Sequence, residues 1–394
     1  MKKILFILKY RDNNNGPYSH GGGLSSGLYN SASMITEMLE IHGLDGKHCE
    51  SKLIQVKDNN DIDREVNSFK PDLVVIEAVW VVPEKFEILT KLHPKVKWLI
   101  RGHSNMPFLA GEGNALDWLS RYVAIKNVYI ATNTRSSLED LTDIVLENYT
   151  DRQDRKVEQK ILYFPNYYIA ENFVGELPHR QVEHSFFGNV LHFLGIHCAK
   201  IIEHNHRDPK KEINVGCFGA IRLLKNQLVQ ATAAVRYAKK NDIHVYFHIN
   251  SGRVEGDGGN PSIKNIRAVF KNSQHATLIE HEWMPHVEFI QLMDKMDISL
   301  QVSFSETFNI VSADAVSVGV PVVVSKEIDW VSSRYYADPT NVNDIVYKME
   351  VAIKDSREGR HNVNQTGLNA YNKRSYIAVC DAINSILEHR EHRL

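Results

Sequence analysis

Segments rich in apolar residues recur along the chain, with helical periodicity between them. In the first half they fall at 4–8, 53–56, 73–76, 98–100, 128–131 and 161–164, separated by helical patterns such as 24–41, 61–69 and 83–92. A segment apolar at successive positions suits a strand buried on both faces, as in a parallel sheet whose crossovers are helices. The second half repeats the rhythm at 213–218, 243–249, 277–280, 297–302 and 322–324, with helices expected near 228–238, 287–295, 342–353 and 377–387. The pattern predicts two doubly wound α/β domains, and 394 residues suit two cores better than one. The expected boundaries are 1–168 for the first domain, 169–211 for a crossover and 212–374 for the second. The last helix, 375–394, is expected to pack back on the first domain.

Composition narrows the class. Hydrophobic residues make up 43% and charged residues 24%, a globular balance, and the net charge of −2 gives no overall basic character to draw nucleic acid. The four cysteines show no paired spacing, which favours reduced thiols in a cytoplasmic protein. Met1-Lys2-Lys3 and the short run after it do not make a signal peptide, and no apolar run reaches the length of a membrane span. Six of the 19 histidines fall in the crossover, at His179, His184, His192, His197, His204 and His206. His192 and His197 are five apart and no cysteine pair completes a tetrahedral set, so the stretch reads as a linker with a helix near 187–202, and no metal is expected.

Candidate chemistry concentrates in SFSETFNIVSADAVSVGVPVVVS, residues 303–325. The pattern is a loop, a helix starting near Thr307, a stop at Gly319 and a buried strand opened by Pro321. Glu306 and Asp314 lie eight apart, a little over two helical turns, so both carboxylates can face one side. A helix N-terminus offers N–H groups to a phosphate, although an ordinary βαβ unit with a solvated Glu and Asp would show the same spacing.

The segment resembles the signature of GT-B glycosyltransferases, particularly the large retaining group called family 4. Glu306, Phe308 and Gly319-Val320-Pro321-Val322-Val323 match, Asp314 replaces a second Glu, and Asn309 stands where that family often has Gly. Arg222 and Lys225, after the strand at 213–218, resemble the family's Gly-Arg and Lys-Gly pair, with Asn226 in place of the Gly. The resemblance implies a GT-B fold, two Rossmann-like domains facing an interdomain cleft that holds a nucleotide diphosphate sugar, UDP- or GDP-linked. It implies that Arg222 and Lys225 take the diphosphate charge, that Glu306 holds donor sugar hydroxyls and that Asp314 holds the ribose. Thr307, Phe308, Asn309 and Met284 are further donor-site candidates on the same ground, Met284 from Trp283-Met284-Pro285 where the family contacts the base. In the first domain the resemblance points to Gly21 and Gly22 of a glycine-rich loop and to His103, in Arg101-Gly102-His103-Ser104, as a contact to the donor sugar.

The implied reaction is sugar transfer with retention of anomeric configuration, without a cofactor or bound metal. The acceptor is open between a saccharide, a small molecule and a hydroxymethylated DNA base, since the Arg222 motif is similar to phage-encoded and bacterial members. A sugar-nucleotide epimerase or hydrolase, or a binding protein that kept the fold, are the readings from other classes, and donor consumption separates them.

Overall fold

The structure, a computed structural model, describes residues 1–10, 26–148, 157–170, 211–256 and 258–388. Gly21, Gly22 and the six crossover histidines lie outside the described residues. The chain divides into two compact units, Met1–Ile169 with Asn372–Leu394, and Ala170–Tyr371.

The first unit is built on six strands: β1 Lys2–Lys9, β2 Cys49–Val56, β3 Leu73–Glu77, β4 Lys97–Gly102, β5 Val128–Thr132 and β6 Ile161–Tyr163. Their order is β2-β1-β3-β4-β5-β6 and every pair is parallel. Side chains alternate across the sheet as the pleat requires. Leu5, Ile7, Val74, Ile76, Trp98 and Ile100 pack on one face with Phe86 and Leu89 of the helix Pro83–Leu92. Ile4, Phe6, Leu73, Val75 and Leu99 take the other face with Ile35 and Met38 of the helix Ser26–His42. The C-terminal helix adds Val379, Cys380 and Ile383 to that second face. Both faces are covered, which is why these strands read as unbroken apolar runs.

The second unit has five parallel strands: β7 Glu212–Gly216, β8 His244–Asn250, β9 Ala276–His281, β10 Ile298–Gln301 and β11 Val322–Val324, in the order β11-β10-β7-β8-β9. The order reverses beside β1 in the first sheet, between β1 and β3, and beside β7 in the second, between β7 and β10. At such reversals the loops leaving neighbouring strands part to opposite faces and open a crevice at the strands' C-terminal ends.

Two helices depart from the pattern. The last one runs over Val363–Glu388 and so begins well before the expected 377. Gly367 and the polar residues around it hide the periodicity, yet that glycine is demanded by packing: a Cβ there would lie 2.3 Å from the Trp330 carbonyl oxygen. The helix expected from Thr307 begins at Ile310, for a reason given below. Among the described residues no helix is long and apolar enough to cross a membrane.

One polar chain crosses the second sheet, with His248 buried between half-buried Asn214 and His281. His248 Nε2 lies 3.0 Å from Asn214 Oδ1, and His248 Nδ1 lies 2.9 Å from His281 Nε2, with the two rings stacked. A carboxamide oxygen only accepts, so His248 carries its proton on Nε2 and accepts from His281 through Nδ1. A second proton on His248 would set two donors against each other. Burial, with the His281 ring beside it, pushes the His248 pKa down to about 4. The unfolded chain binds that proton near pH 6.5 and the folded one only near pH 4. Stability present above pH 6.5 is therefore lost as pH falls towards 4, by about 2 kcal/mol for this group on reaching pH 5. Urea unfolding at pH 7.5 and pH 5 reads the loss, and His248→Gln is expected to remove most of the slope between them.

Candidate functional site

The reversal beside β7 gathers two loops, one leaving β7 and one leaving β10. In the first, Gly219 holds φ +113, a backbone conformation open to glycine, and its N–H donates to Asn250 Oδ1 at 3.1 Å. Ile221 then pairs with Val254 as a short parallel bridge. Gly258 and Gly259 permit this contact, since a Cβ at either would lie 2.3 Å from Leu223 or 2.5 Å from Val254. A single 3-10 turn, Leu223–Lys225, carries Lys225 inward and ends at Asn226 in the left-handed region. Asn226 fixes the turn by donating from Nδ2 to the carbonyls of Val302, at 3.0 Å, and Pro339, at 2.8 Å.

The loop after β10 is fixed in the same way. Asn309 also holds a left-handed conformation, φ 60°, and its Oδ1 accepts from Ser312 N at 2.8 Å, capping the helix Ile310–Ser317. A helix cannot run through a residue at positive φ, which delays the helix start from Thr307 to Ile310. Asn309 Nδ2 donates to Gln301 Oε1 at 3.0 Å, and Gln301 Nε2 donates to the Phe218 carbonyl at 3.0 Å, so side-chain bonds lock the two loops together. Asn309→Ala is expected to lose the cap and the bond to Gln301 and to force a Cβ residue without a local polar partner into positive φ. The cost should be about 2 kcal/mol by chemical denaturation.

Between the loops stand the charges. Lys225 Nζ is bonded to Glu306 Oε1, and both side chains are nearly buried. Arg222 Nη1 reaches Glu255 Oε2 at 3.4 Å, and Arg253 pairs with the same carboxylate while its guanidinium sits 5.1 Å above the Trp283 ring. Burial pushes the Glu306 pKa up, but the charges of Lys225 and Arg222 and the Lys225 hydrogen bond outweigh it and hold the carboxyl below its usual range. Burial pulls the Lys225 ammonium down and Arg222 adds to that pull, against the attraction of Glu306. Three cations, Arg222, Lys225 and Arg253, thus gather with the carboxylates Glu255 and Glu306. Cations clustered at the C-terminal ends of parallel strands suit an anion.

The other candidates take separate places. Asp314 is buried on the helix Ile310–Ser317 and its Oδ1 is bonded to His286 Nε2 at 2.9 Å. Glu306 precedes that helix by four residues, so the two carboxylates do not share a helical face; each has its own partner. The Phe308 ring is buried against Trp330 and Tyr371, and its carbonyl accepts from Trp330 Nε1 at 2.8 Å. Thr307 is half-buried beside it, and Met284 is half-buried in the loop before the helix His286–Met293. His103 belongs to the first unit, where Nε2 lies 2.5 Å from Glu77 Oε2.

Sequence reasoning missed Glu255, Arg253, His286, Glu77 and the buried role of Arg101. Glu77 and Arg101 are strand residues that the apolar pattern cut off at Ile76 and Ile100. Glu255 and Arg253 lie in a glycine-rich loop that reads as a turn.

No family model and no curated protein sequence matches the chain. Solved structures do. Anabaena HepE in complex with UDP aligns over 99% of this chain and 100% of its own, with TM-score 0.55 and 13% identity. An alpha,alpha-trehalose-phosphate synthase (UDP-forming) from Burkholderia vietnamiensis covers 100% and 99%, with TM-score 0.65 and 10% identity. The fold is GT-B. A trehalose-6-phosphate structure from E. coli bound with UDP-2-fluoro glucose covers 99% and 100%, with TM-score 0.61 and 11% identity. Within a GT-B fold the two order reversals belong to two Rossmann-like domains, and the β7 reversal carries Arg222, Lys225 and Arg253.

Proposed function

We propose that the chain is a glycosyltransferase that moves a sugar from a nucleotide diphosphate sugar to an acceptor. The observation that carries the reading is the cluster of Arg222, Lys225 and Glu306 at the β7 and β10 strand ends, next to the N-terminus of the helix Ile310–Ser317. A departing nucleoside diphosphate gains negative charge in the transition state, and fixed cations in a partly desolvated site stabilise it most where the charge grows. Arg222 and Lys225 take that role, and by supplying the charge they make a metal ion unnecessary. The diphosphate competes with Glu306 for Lys225, which turns the Glu306 carboxylate to the donor sugar hydroxyls.

Asp314 acts on the ribose through its partner His286, since the shorter carboxylate is buried beneath that ring. Phe308 serves by packing, Asn309 by holding the loop, and Thr307 and Met284 line the donor. Gly21, Gly22 and His103 are the first domain's candidates for contacting the donor, on the resemblance alone. Transfer runs with retention on the front face, the leaving phosphate taking the acceptor proton, as the resemblance to family 4 implies. UDP is the favoured base, because HepE was solved with UDP and the E. coli structure with UDP-2-fluoro glucose. The setting is cytoplasmic, in keeping with the buried free thiols of Cys49, Cys217 and Cys380.

A thermal-shift panel of UDP, GDP, ADP and TDP sugars tests the reading. At a hundredfold excess over its dissociation constant a donor adds about 2.7 kcal/mol, which raises Tm by several degrees. Release of UDP from the stabilising donor should follow when acceptors are added. A panel without any shift, and without any nucleotide released, would remove the enzyme reading.

A further inference from the structure

Beside Arg222 stands a carboxylate, Glu255, to which the donor reading gives no role. The segment 251–256, after β8, is fixed by its own backbone. Ser251 N–H donates to the His281 carbonyl at 3.0 Å, Ile221 N–H to the Arg253 carbonyl at 2.9 Å, and Glu255 N–H to the Ile221 carbonyl at 2.9 Å. The last two bonds make the parallel bridge between Ile221 and Val254, and Arg222 leaves it extended, with φ −157° and ψ 156°. In parallel register the residue after Ile221 stands beside the residue after Val254, so the main chain sets Arg222 next to Glu255. Arg253 and Glu255, two apart, fall on one face.

Glu255 is therefore held from both sides. Arg253 pairs with Oε1 and is itself stacked over the Trp283 ring, while Arg222 Nη1 reaches Oε2 at 3.4 Å. The side chains of Arg222, Arg253 and Glu255 are 25%, 23% and 30% exposed. That leaves room for a ligand to displace one partner, and too little water to screen the carboxylate fully.

A fixed carboxylate beside a cation that grips a diphosphate opposes binding, and it does so unequally. The second ionisation of a terminal phosphate lies near pH 6, so a free nucleoside diphosphate at neutral pH carries about one negative charge more than the same diphosphate joined to a sugar. Coulomb repulsion scales with charge, so Glu255 disfavours the product more than the donor. Grip that outlasts transfer slows turnover. We propose that Glu255 is a specificity-determining residue that favours donor over product, competing with the released nucleoside diphosphate for Arg222 and returning to the guanidinium as the product leaves. The proposal rests on the donor reading above and adds to it what frees the site.

The test is isothermal titration of the full chain with UDP, UDP-glucose and uridine, at a pH about one unit or more above the phosphate ionisation. Glu255→Gln keeps the size of the side chain and loses its charge. It should bind UDP roughly tenfold tighter and UDP-glucose only roughly threefold tighter, with uridine unchanged. Glu255→Asp, shorter but charged, should keep the wild-type ratio of UDP to UDP-glucose affinity within about twofold. A merely structural role predicts the opposite order, because Gln preserves contacts that Asp breaks. Glu255→Ala should show the same signs as Gln and serves as the second uncharged variant at this half-buried position. UDP bound no tighter by the uncharged variants, or an equal gain for UDP and UDP-glucose, overturns the proposal and leaves the donor site standing. A wild type that binds neither UDP nor UDP-glucose overturns the UDP reading, and this proposal with it.

Discussion

Replacing Glu306 with alanine is expected to lower sugar transfer at least roughly tenfold, about 1.4 kcal/mol in barrier, and to destabilise the second unit by about 3 kcal/mol. Both effects come from one pair. The Lys225 ammonium is nearly buried and bonded to Glu306, with Arg222 adding positive charge nearby. Removing the carboxylate leaves two cations facing each other in a poorly solvated loop, and a buried charge without its partner costs more than the intact pair contributes. The stability cost sits at the low end of that range because Lys225 can shed its proton or reach the solvent edge.

Lys225→Met should be destabilising for the mirror reason, whereas the double variant Lys225→Met/Glu306→Gln should be less destabilised than the sum of the singles. Transfer separates stability from chemistry. Arg222→Ala removes a charge from the leaving-group side and should also lower the rate at least roughly tenfold, although its partner Glu255 keeps Arg253. Near-wild-type rates in both Glu306→Ala and Arg222→Ala would sink the site assignment.

These pairs show what could be read in the sequence. The strands of both sheets were legible because helices cover the first sheet on both faces and leave little need for alternation. Arg222, Lys225 and Glu306 were singled out through the resemblance to family 4, in loops after two such runs, and the structure brings Lys225 and Glu306 into contact. Asn226 and Asn309 looked like departures from a glycine motif, yet both hold positive φ, where asparagine is tolerated and glycine usual. The substitution keeps the turn and adds side-chain bonds that glycine lacks. Helical spacing misjudged Glu306 and Asp314, because the Asn309 conformation stops the helix between them. The polar ends of strands were not legible either. A Glu or Arg closing an apolar run looks like the start of a loop, and only the three-dimensional arrangement shows that Glu77 and Arg101 face each other inside the first domain.

That buried pair sets the second large expectation: Glu77→Ala should cost about 4 kcal/mol of stability. Arg101 is fully buried and uses its donors on five groups. Nη1 reaches both Glu77 oxygens at 3.2 Å and Ser31 Oγ at 3.1 Å; Nε donates to the Phe164 carbonyl and Nη2 to that of Pro165, each at 3.2 Å; Nη2 also bonds Asn166. A guanidinium does not deprotonate in a protein, so with Glu77 gone the charge stays, unlike that of Lys225. Burial pushes the Glu77 pKa up, but Arg101 and His103 overcome it and hold it below the usual carboxylate range. The stability it contributes is therefore present above the unfolded value near 4.5 and is lost as pH falls through the lower folded value. Arg101→Lys keeps the charge but not the fork, and one ammonium cannot serve five acceptors spread over β3, the helix Ser26–His42 and the segment after β6. It should cost at least about 2 kcal/mol. Urea midpoints at unchanged m-value read these costs. A loss below about 1 kcal/mol for Glu77→Ala would mean that water already reaches the pair, and the ordered wall behind His103 would then have to be held by something other than this charge.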